Sequence, residues 1–429
     1  MLNLRAILSA LLCLAGLAYF VVRGPYREVG SLNSYDFASV YGAARCWLNG
    51  QNPYDMKQVR DTLREAGNKP PLPYSDPPPS VYLPTTLPVI APVAWLSWIP
   101  ARLIWCLMSV SMFGCSLLLI FRNVDLPLEG KFLLGAAVLF FSPTTSGLST
   151  GNLSVFSCSL VILAIYLALK KRWIGSGLLL GLAHCLKPQV SIFAVVLFAL
   201  WTYWKPLFIS FVVPAVSAAV SIMRAPSLDQ YRQWLASLHE GIAATLAPGA
   251  INDPRPSNIF SYHMVNTQAV FGVFVHNLAI DDILVWAIAA AMVVVYLWLR
   301  RRVAGDRRWC DMAFFSAVTL TIVYHRYYDA QLLLASVPFV AGSRKRLGSI
   351  AIPVLCFLLL LEFPLQAILA QRFSPFLADK SIIGFLLFRH QPLAVLAMCL
   401  FLIPWFRRSY QRDEAAGSSA SVHNFSSRL

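Results

Sequence analysis

Residues 4–22 read LRAILSALLCLAGLAYFVV, an apolar run with a single charged residue. A helix needs about 20 apolar residues to cross a hydrocarbon core of about 30 Å, so this run predicts a membrane span. The remaining chain has the same character, since 58% of all residues are hydrophobic and only 13% are charged. Soluble domains carry roughly 25% charged residues, which excludes an ordinary water-soluble protein. The small residues of LAGLA also suit a signal peptide, but a polytopic chain commonly keeps its first span as an anchor.

Twelve apolar runs across the chain are candidate spans, several of them short. They begin near Leu4, Ala101, Phe132, Leu153, Trp173, Val190, Leu207, Asp282, Trp309, Ala330, Leu347 and Gln391. These runs predict an all-α polytopic membrane protein with about 12 transmembrane helices. A further run, residues 81–98, carries prolines at four-residue spacing, which remove backbone hydrogen-bond donors. We expect it to form a helical or re-entrant element on the outer side that does not span.

The basic residues give the predicted orientation. The chain carries 35 Lys and Arg against 20 Asp and Glu, and the basic residues gather in short clusters between apolar runs. This pattern follows the positive-inside rule and differs from a nucleic-acid-binding face. If residues 81–98 do not span, the clusters lie in the cytoplasm with both termini; if they span, the clusters move outside, against the usual bias. We therefore expect a plasma-membrane protein with outer loops at about 23–100 and 224–281.

Residues 1–406 are expected to form a single membrane domain, followed by a polar, disordered cytoplasmic tail at 407–429. The nine cysteines fall almost entirely inside apolar runs, which indicates core residues and no disulfide framework. No pair of carboxylates or histidines has a recurring ligand spacing, so neither a metal site nor a cofactor is expected. The oligomeric state is left open.

Residues 34–55, SYDFASVYGAARCWLNGQNPYD, predict an amphipathic helix in the first outer loop. Apolar residues recur there at the spacing of one helix face, and the helix would begin at Asp36 and end at Gly50. Its apolar face is expected on the membrane surface or against the helix bundle. Asp36 has two alternative roles: an N-cap that accepts the free backbone N–H groups of the first turn, or a general base at the membrane interface. Helix considerations alone favour the cap.

Four further motifs follow in order along the chain. They are YSDPPPSVYLPTTLPVIAPVAWL at 74–96, STGNLSVF at 149–156, GSGLLLGLAHCLKPQ at 175–189 and YHRYYDAQLLL at 324–334. Together with the first span and its loop aspartate, they resemble the GT-C membrane glycosyltransferases. They are most similar to glycosyltransferase family 87, the polyprenyl-phosphate-mannose-dependent mannosyltransferases. The resemblance covers the chain from Leu4 to about Pro338, with Asn152 where the family often has glutamine.

The resemblance implies a GT-C architecture and an activity. Such enzymes transfer a sugar, here mannose or a related hexose, from a polyprenyl phosphate to a hydroxyl of a lipid or glycan acceptor. Transfer takes place on the outer face with inversion, and a single displacement needs a base for the attacking hydroxyl and positive charge near the departing phosphate. In the family the base is the first-loop aspartate, which maps onto Asp36. Asp55 and Asp76, in the same loop, are expected to be turn formers.

Lys187 is the sharpest candidate for the phosphate because it interrupts an apolar stretch immediately before Pro188. A charge at membrane depth costs at least about 2.5 kcal/mol on insertion scales, so it is usually retained near a cavity, a partner or water. Residues 173–186 extend only about 21 Å as a helix, so the break would aim Lys187 into the bundle. The alternative is that Lys187 snorkels between two short spans.

His325, Arg326 and Asp329 lie at the expected outer end of another span. His325 and Asp329 are four residues apart, so they share a face if the turn is helical. The structural interpretation makes Arg326 and Asp329 an ion pair between two helix ends. The functional interpretation, which the resemblance favours, has His325 and Arg326 facing the donor phosphate.

Further candidates for contact with the sugar or the acceptor are Tyr35, Asn152, Gln189, Arg255, Asn258 and Asp329. For Arg255 and Asn258 the preferred alternative is turn chemistry, because NDPRPSN at 252–258 is rich in turn formers. A different class, a secondary transporter or lipid flippase of about 12 spans, also has midplane charges and proline-broken helices. The lack of an evident repeat and the gathering of polar residues on one side argue against it. A non-catalytic subunit of an envelope assembly is the third alternative.

Overall fold

The computed structural model describes most of the chain. The described residues are 4–30, 34–68, 79–258, 260–302, 307–322, 324–342, 354–355, 357–358, 360 and 382–415. Within these ranges the regular structure is helical and includes no strand, which confirms the predicted all-α fold class. The backbones of Met264 and Arg326 form an isolated antiparallel bridge.

The helices are numbered in chain order. They are α1 (Leu4–Arg23), α2 (Pro25–Gly30), α3 (Tyr35–Leu48), α4 (Met56–Glu65), α5 (Thr86–Ala94), α6 (Trp98–Arg122), α7 (Leu128–Leu139), α8 (Ser142–Ser149), α9 (Leu153–Leu169), α10 (Trp173–Leu186), α11 (Pro188–Leu200), α12 (Trp204–Arg224), α13 (Leu228–Leu246), α14 (Gln268–Phe271), α15 (Leu278–Arg301), α16 (Arg308–Ile322), α17 (Val337–Gly342) and α18 (Ile382–Ala415). Two 3₁₀ segments, Ser261–His263 and Tyr327–Ser336, complete the described secondary structure.

The chain divides into two compact units. The Asp36 unit consists of Leu11–Leu117 and Thr144–Ala247, and the His325 unit consists of Met1–Ala10, Leu118–Pro143 and Pro248–Leu429. Each unit is described by itself below.

Five helices in the described part of the chain are long and apolar enough to cross a membrane. They are Leu4–Gly30, Trp98–Arg122, Trp204–Arg224, Leu278–Arg301 and Ile382–Ile403. The pair α7 and α8, bent by 44°, would make a sixth span. The protein is therefore a membrane protein, but the expected number of about 12 spans is not reached in the described residues.

The difference in the number of spans has its cause in helix length. Among the candidate runs, α9, α10 and α11 have 17, 14 and 13 residues, and a 17-residue helix extends about 26 Å. The run expected from Ala330 instead forms the 3₁₀ segment Tyr327–Ser336 and the six-residue α17. The run expected from Leu347 lies mostly outside the described residues.

The proline-containing run at 81–98 forms the nine-residue helix α5 and then enters α6 at Trp98. Nine residues extend about 14 Å, which is less than half of a hydrocarbon core, so α5 cannot span a membrane. It is anchored inside the Asp36 unit, where the buried Thr86 hydroxyl donates to the Cys185 carbonyl at 2.6 Å. The interpretation of this run as a short helical element agrees with the structure.

Helix α10 packs closely against α12, and this packing fixes the position at which α10 ends and α11 begins. A Cβ atom on Gly177 would lie 2.5 Å from the Cβ of Ile209, and one on Gly181 would lie 2.6 Å from the Cβ of Val213. Only glycine lets the two backbones approach this closely, as in other helix pairs of membrane proteins. The glycine-rich motif therefore fixes the position of α10 against α12, and with it the position of Lys187, which follows the last residue of α10.

In the His325 unit, α15 and α16 are joined by a buried carboxylate. Arg300 donates to both oxygens of Asp311, at 2.8 and 3.0 Å, and the Tyr296 hydroxyl donates to the same carboxylate at 2.8 Å. Arg300 belongs to the basic run 300–302, which the predicted orientation places on the cytoplasmic side. The pairing explains how a fully buried aspartate is tolerated in an apolar helix, since its charge is compensated directly.

The last described helix, α18, continues to Ala415. Its backbone therefore extends beyond residue 407, where the disordered tail was expected to begin. Residues 416–429 of that tail lie outside the described residues.

Candidate active site

Asp36 is the second residue of α3, and it does not cap that helix. The N-cap position is Ser34, whose side chain makes no capping bond. The backbone N–H groups of Asp36 and Phe37 both donate to the Thr150 carbonyl, at 3.2 and 3.4 Å. These backbone N–H groups of the first turn are satisfied by the Thr150 carbonyl and do not bond to the Asp36 carboxylate. The N-cap alternative for Asp36 is therefore wrong.

The loop that carries Thr150 packs tightly on α3. Gly151 has a φ of +66°, and a Cβ there would lie 2.7 Å from the Cβ of Phe37. The Gly151 carbonyl accepts a hydrogen bond from the Trp105 indole at 2.9 Å, and the Phe37 ring stacks on Trp105 with centroids 5.3 Å apart. The helix is thus buried inside the Asp36 unit, against the bundle and not on the membrane surface. Its end was predicted correctly, since α3 stops at Leu48 shortly before Gly50.

A continuous chain of hydrogen bonds joins Asp36 to Lys187. The Asn152 amide donates from Nδ2 to Asp36 Oδ2 at 2.8 Å, and its Oδ1 accepts from the Ser154 hydroxyl at 2.5 Å. Lys187 Nζ in turn donates to Ser154 Oγ at 2.5 Å. We call this series the Lys187 chain. The structure therefore brings together three predicted site residues, Asp36, Asn152 and Lys187, and adds Ser154.

Sequence reasoning missed Ser154, although a signal was present. Asn152 is the N-cap of α9 and accepts the backbone N–H of Ser154 at 2.9 Å, the spacing that the Asn-Leu-Ser step predicts. That spacing indicates a helix start. It does not indicate that the serine hydroxyl would be met by a lysine 33 positions later.

Lys187 lies at the break between α10 and α11, as its position before Pro188 predicts. Only 6% of the residue is exposed, and its ammonium group reaches a serine that is fully buried. This placement inside the bundle disagrees with the snorkelling alternative, in which the charge would reach water. Gln189 is partly exposed in the first turn of α11, and Tyr35 is partly exposed in the first turn of α3.

His325 and Asp329 form a buried pair in the His325 unit. His325 Nδ1 lies 3.1 Å from Asp329 Oδ2, and both side chains are essentially inaccessible to solvent. The contact between His325 and Asp329 agrees with the predicted shared face, and Asp329 Oδ2 also accepts the backbone N–H of Arg326 at 3.2 Å. His325 Nε2 is buried and has no hydrogen-bond partner among the described residues.

The Arg326 guanidinium bonds to the segment that precedes Asp253. It donates to the Ile251 carbonyl at 2.6 Å and to the Tyr324 hydroxyl. Its positive charge also acts on His263: burial first, and this charge second, lower the pKa of that histidine to about 4. Arg326 is partly exposed.

Arg255 and Asn258 take part in a turn built on Asp253. This fully buried carboxylate accepts from Arg255 Nε and from the Ser257 hydroxyl, both at 2.6 Å. Burial alone would raise the pKa of Asp253, but these hydrogen bonds outweigh it and lower that pKa. Asn258 Nδ2 donates to the Asp253 carbonyl at 2.8 Å. The turn-chemistry alternative for NDPRPSN therefore accounts for both residues.

Both Asp55 and Asp76 were expected to be turn formers, and the structure describes only the first of them. Asp55 is the N-cap of α4 and accepts the backbone N–H groups of Lys57 and Gln58, at 2.9 and 3.1 Å. It is therefore a structural residue, as expected. Asp76 lies outside the described residues.

The sequence model of glycosyltransferase family 87 matches residues 81–336, which is more than half of the chain. The chain belongs to glycosyltransferase family 87. No curated relative and no solved structure matches it. Membership in family 87 makes the protein a membrane glycosyltransferase, which favours this class over the transporter, flippase and non-catalytic alternatives.

The family 87 match contains most of the candidate site. The STGN loop, Lys187 and the His325–Asp329 pair all lie between residues 81 and 336, whereas Tyr35 and Asp36 precede the matched residues. The hydrogen bond from Asn152 to Asp36 joins the matched part to the helix that carries the expected base.

Proposed function

We propose that this protein is an inverting hexosyltransferase of GT-C architecture, with Asp36 as its general base. It transfers mannose or a related hexose from a polyprenyl-phosphate sugar to a hydroxyl of a lipid or glycan acceptor on the outer face of the plasma membrane. The observation that carries the proposal is the asymmetry of the Asp36 carboxylate. Asn152 holds Oδ2, whereas Oδ1 accepts no hydrogen bond from the described residues and the side chain is partly exposed.

The chemistry is a single displacement. The acceptor oxygen attacks the anomeric carbon on the face opposite the phosphate, and the bond from that carbon to the phosphate oxygen breaks. Asp36 takes the proton of the attacking hydroxyl, and the polyprenyl phosphate departs with the bonding electron pair. A base in this position contributes about 10²- to 10⁴-fold to the rate.

The departing phosphate needs positive charge, and each unit offers candidates by itself: Lys187 in the Asp36 unit, and His325 and Arg326 in the His325 unit. Lys187 carries a positive charge inside the Asp36 unit, where its ammonium group donates to Ser154 Oγ at 2.5 Å. His325 contacts Asp329 through Nδ1, at 3.1 Å, so its other ring nitrogen, Nε2, is the atom that we assign to a phosphate oxygen. Arg326, in the same unit as His325, is partly exposed.

The test uses purified protein in lipid with labelled polyprenyl-phosphate-mannose and a panel of hydroxyl acceptors. We expect transfer by the wild type and a loss of about 10²-fold or more in Asp36→Asn, because the amide cannot accept the proton. Asp61→Asn is the matched control, since Asp61 is an exposed acid on α4 that lies 3.8 Å from the Arg64 guanidinium. An Asp36→Asn protein that remains fully active would remove Asp36 as the base.

A further inference from the structure

We propose that Ser154 is a positioning residue for Asp36 and that Lys187 acts on the base through it. The inference deepens the proposed function and rests on the role of Asp36 as general base. Ser154 is fully buried, so it acts through its neighbours and does not touch the substrates. This role of Lys187 is additional to its proposed contact with the donor phosphate.

The direction of every hydrogen bond in the Lys187 chain is determined. An ammonium group only donates, so Ser154 Oγ is the acceptor in its contact with Lys187. The serine hydrogen is then directed to Asn152 Oδ1, which also accepts the Ser154 backbone N–H. The amide atom of Asn152 that receives these two hydrogen bonds must be its oxygen. The NH₂ group of the same amide therefore faces Asp36.

The orientation of the amide has a consequence for the base. With Asn152 Nδ2 held as a donor, Asp36 Oδ2 is fixed as an acceptor, and Oδ1 remains for the attacking hydroxyl. A reversed amide would place its oxygen against the carboxylate and repel it. The lysine and the serine therefore hold the amide, and the amide holds the carboxylate.

Burial makes this arrangement stiff. Exposure is 6% at Lys187, 0% at Ser154 and 3% at Asn152, whereas Asp36 at the end of the chain is partly exposed. Hydrogen bonds away from water are stronger, and consecutive ones polarise each other. Asp36 is therefore the most exposed residue of the Lys187 chain.

Capping of α9 explains only part of these contacts. An N-cap requires Asn152 Oδ1 and the Ser154 backbone N–H, and neither the serine hydroxyl nor the lysine takes part. Substitution of Ser154 by alanine therefore keeps the cap and removes the connection between Lys187 and Asn152. This separation allows an experiment that distinguishes positioning from helix formation.

The experiment compares Ser154→Ala and Ser154→Thr in the labelled transfer assay. We expect Ser154→Ala to lower kcat by about 10- to 100-fold, with less than about a twofold change in KM for the lipid donor, because a small displacement of a reacting group is costly. Ser154→Thr retains the hydroxyl and should recover most of the activity. Ser157→Ala is the matched control: Ser157 is equally buried on α9, and its hydroxyl has no hydrogen-bond partner among the described residues.

Several results would overturn the inference. Wild-type kcat in Ser154→Ala would do so, as would a loss that appears only in KM for the donor, which would assign Lys187 to the phosphate alone. If the alanine variant does not fold, Ser154→Cys, with its weak thiol donor, should show the same fall in kcat. An active Ser154→Ala beside an inactive Asp36→Asn refutes this inference alone, whereas an active Asp36→Asn refutes the proposed base.

Discussion

The two oxygens of the Asp36 carboxylate have different surroundings. Oδ2 accepts the amide of Asn152, whose own orientation depends on Ser154 and Lys187. The backbone around Asp36 is fixed separately, because its N–H and that of the next residue share the Thr150 carbonyl. The proposed base is therefore held both by its backbone and by one of its carboxylate oxygens, which keeps it in a fixed position for the reaction.

Gly151 is the residue at which this arrangement is most easily broken. A Cβ at this position is strained by the φ of +66° and would lie 2.7 Å from the Cβ of Phe37. We expect Gly151→Ala to destabilise the protein by about 1–3 kcal/mol and to lower activity, because the loop must move and carry Asn152 away from Asp36. Thermal unfolding in detergent and the transfer assay measure the two effects.

Gly67 provides the control for backbone strain. Its φ of +92° is equally unfavourable for alanine, but a Cβ there would meet nothing within 4 Å. Gly67→Ala should therefore lose some stability and keep its activity. Equal activity in the two alanine variants would contradict the role given to the contact between Gly151 and Phe37.

At the scale of elements, the site depends on the short helices α9, α10 and α11. Asn152 caps α9, and Lys187 stands between α10 and α11. The hydrogen bond from Lys187 to Ser154 therefore joins the start of one helix to the end of another. The relative placement of these helices decides whether the Lys187 chain forms.

Gly181 of α10 tests this placement. A Cβ at Gly181 would lie 2.6 Å from the Cβ of Val213 and 2.9 Å from the Ser210 carbonyl oxygen on α12. We expect Gly181→Ala to separate the helices, to cost about 1–3 kcal/mol and to lower kcat, because the end of α10 shifts with Lys187. Unfolding and transfer assays on the same preparation provide the measurement.

Gly114 of α6 is the control for Gly181, since a Cβ added at Gly114 meets nothing within 4 Å. Gly114→Ala should be neutral or slightly stabilising, because alanine is the better helix former by about 1 kcal/mol. If Gly181→Ala and Gly114→Ala lost similar amounts of stability and kcat, the close packing of α10 on α12 would not be the cause of the loss.

The whole molecule should lose stability in acid through His263. In the folded protein the pKa of this histidine is about 4, and in the unfolded chain it is near the ordinary value of about 6.5. The unfolded state therefore takes up a proton first as the pH falls. Unfolding becomes easier through the window from about pH 6.5 to pH 4, and the stabilisation is complete above it.

Thermal unfolding midpoints in detergent at pH 7.5 and pH 5 measure this effect. The wild type should unfold at a lower temperature at pH 5, and His263→Gln should show a smaller difference between the two pH values. His239→Gln, which changes an exposed histidine of α13, should behave as the wild type. An unchanged pH difference in His263→Gln would exclude this histidine as the cause.

Much of the fold follows from the order and chemistry of residues along the chain. The apolar runs predict helices in a membrane, Lys187 before Pro188 predicts a buried break, and the ordered motifs predict family 87. Helix length was predicted less well: α9, α10 and α11 have 17, 14 and 13 residues, and the run from Ala330 forms a 3₁₀ segment. An apolar run indicates that a segment is buried. It does not distinguish a segment that crosses the lipid from one that is buried inside the protein, because both have the same composition.

The sequence by itself determined the helical membrane fold, the glycosyltransferase family and the candidacy of Asp36 and Lys187, because each of these depends on local composition or on motif order. Only the tertiary structure decided that Asp36 is not a cap, that Asn152 holds it, and that Ser154 connects it to Lys187. Asp36 and Asn152 are separated by 116 positions, and Ser154 and Lys187 by 33. Such contacts depend on how helices pack in space, which periodicity and spacing along one chain do not encode.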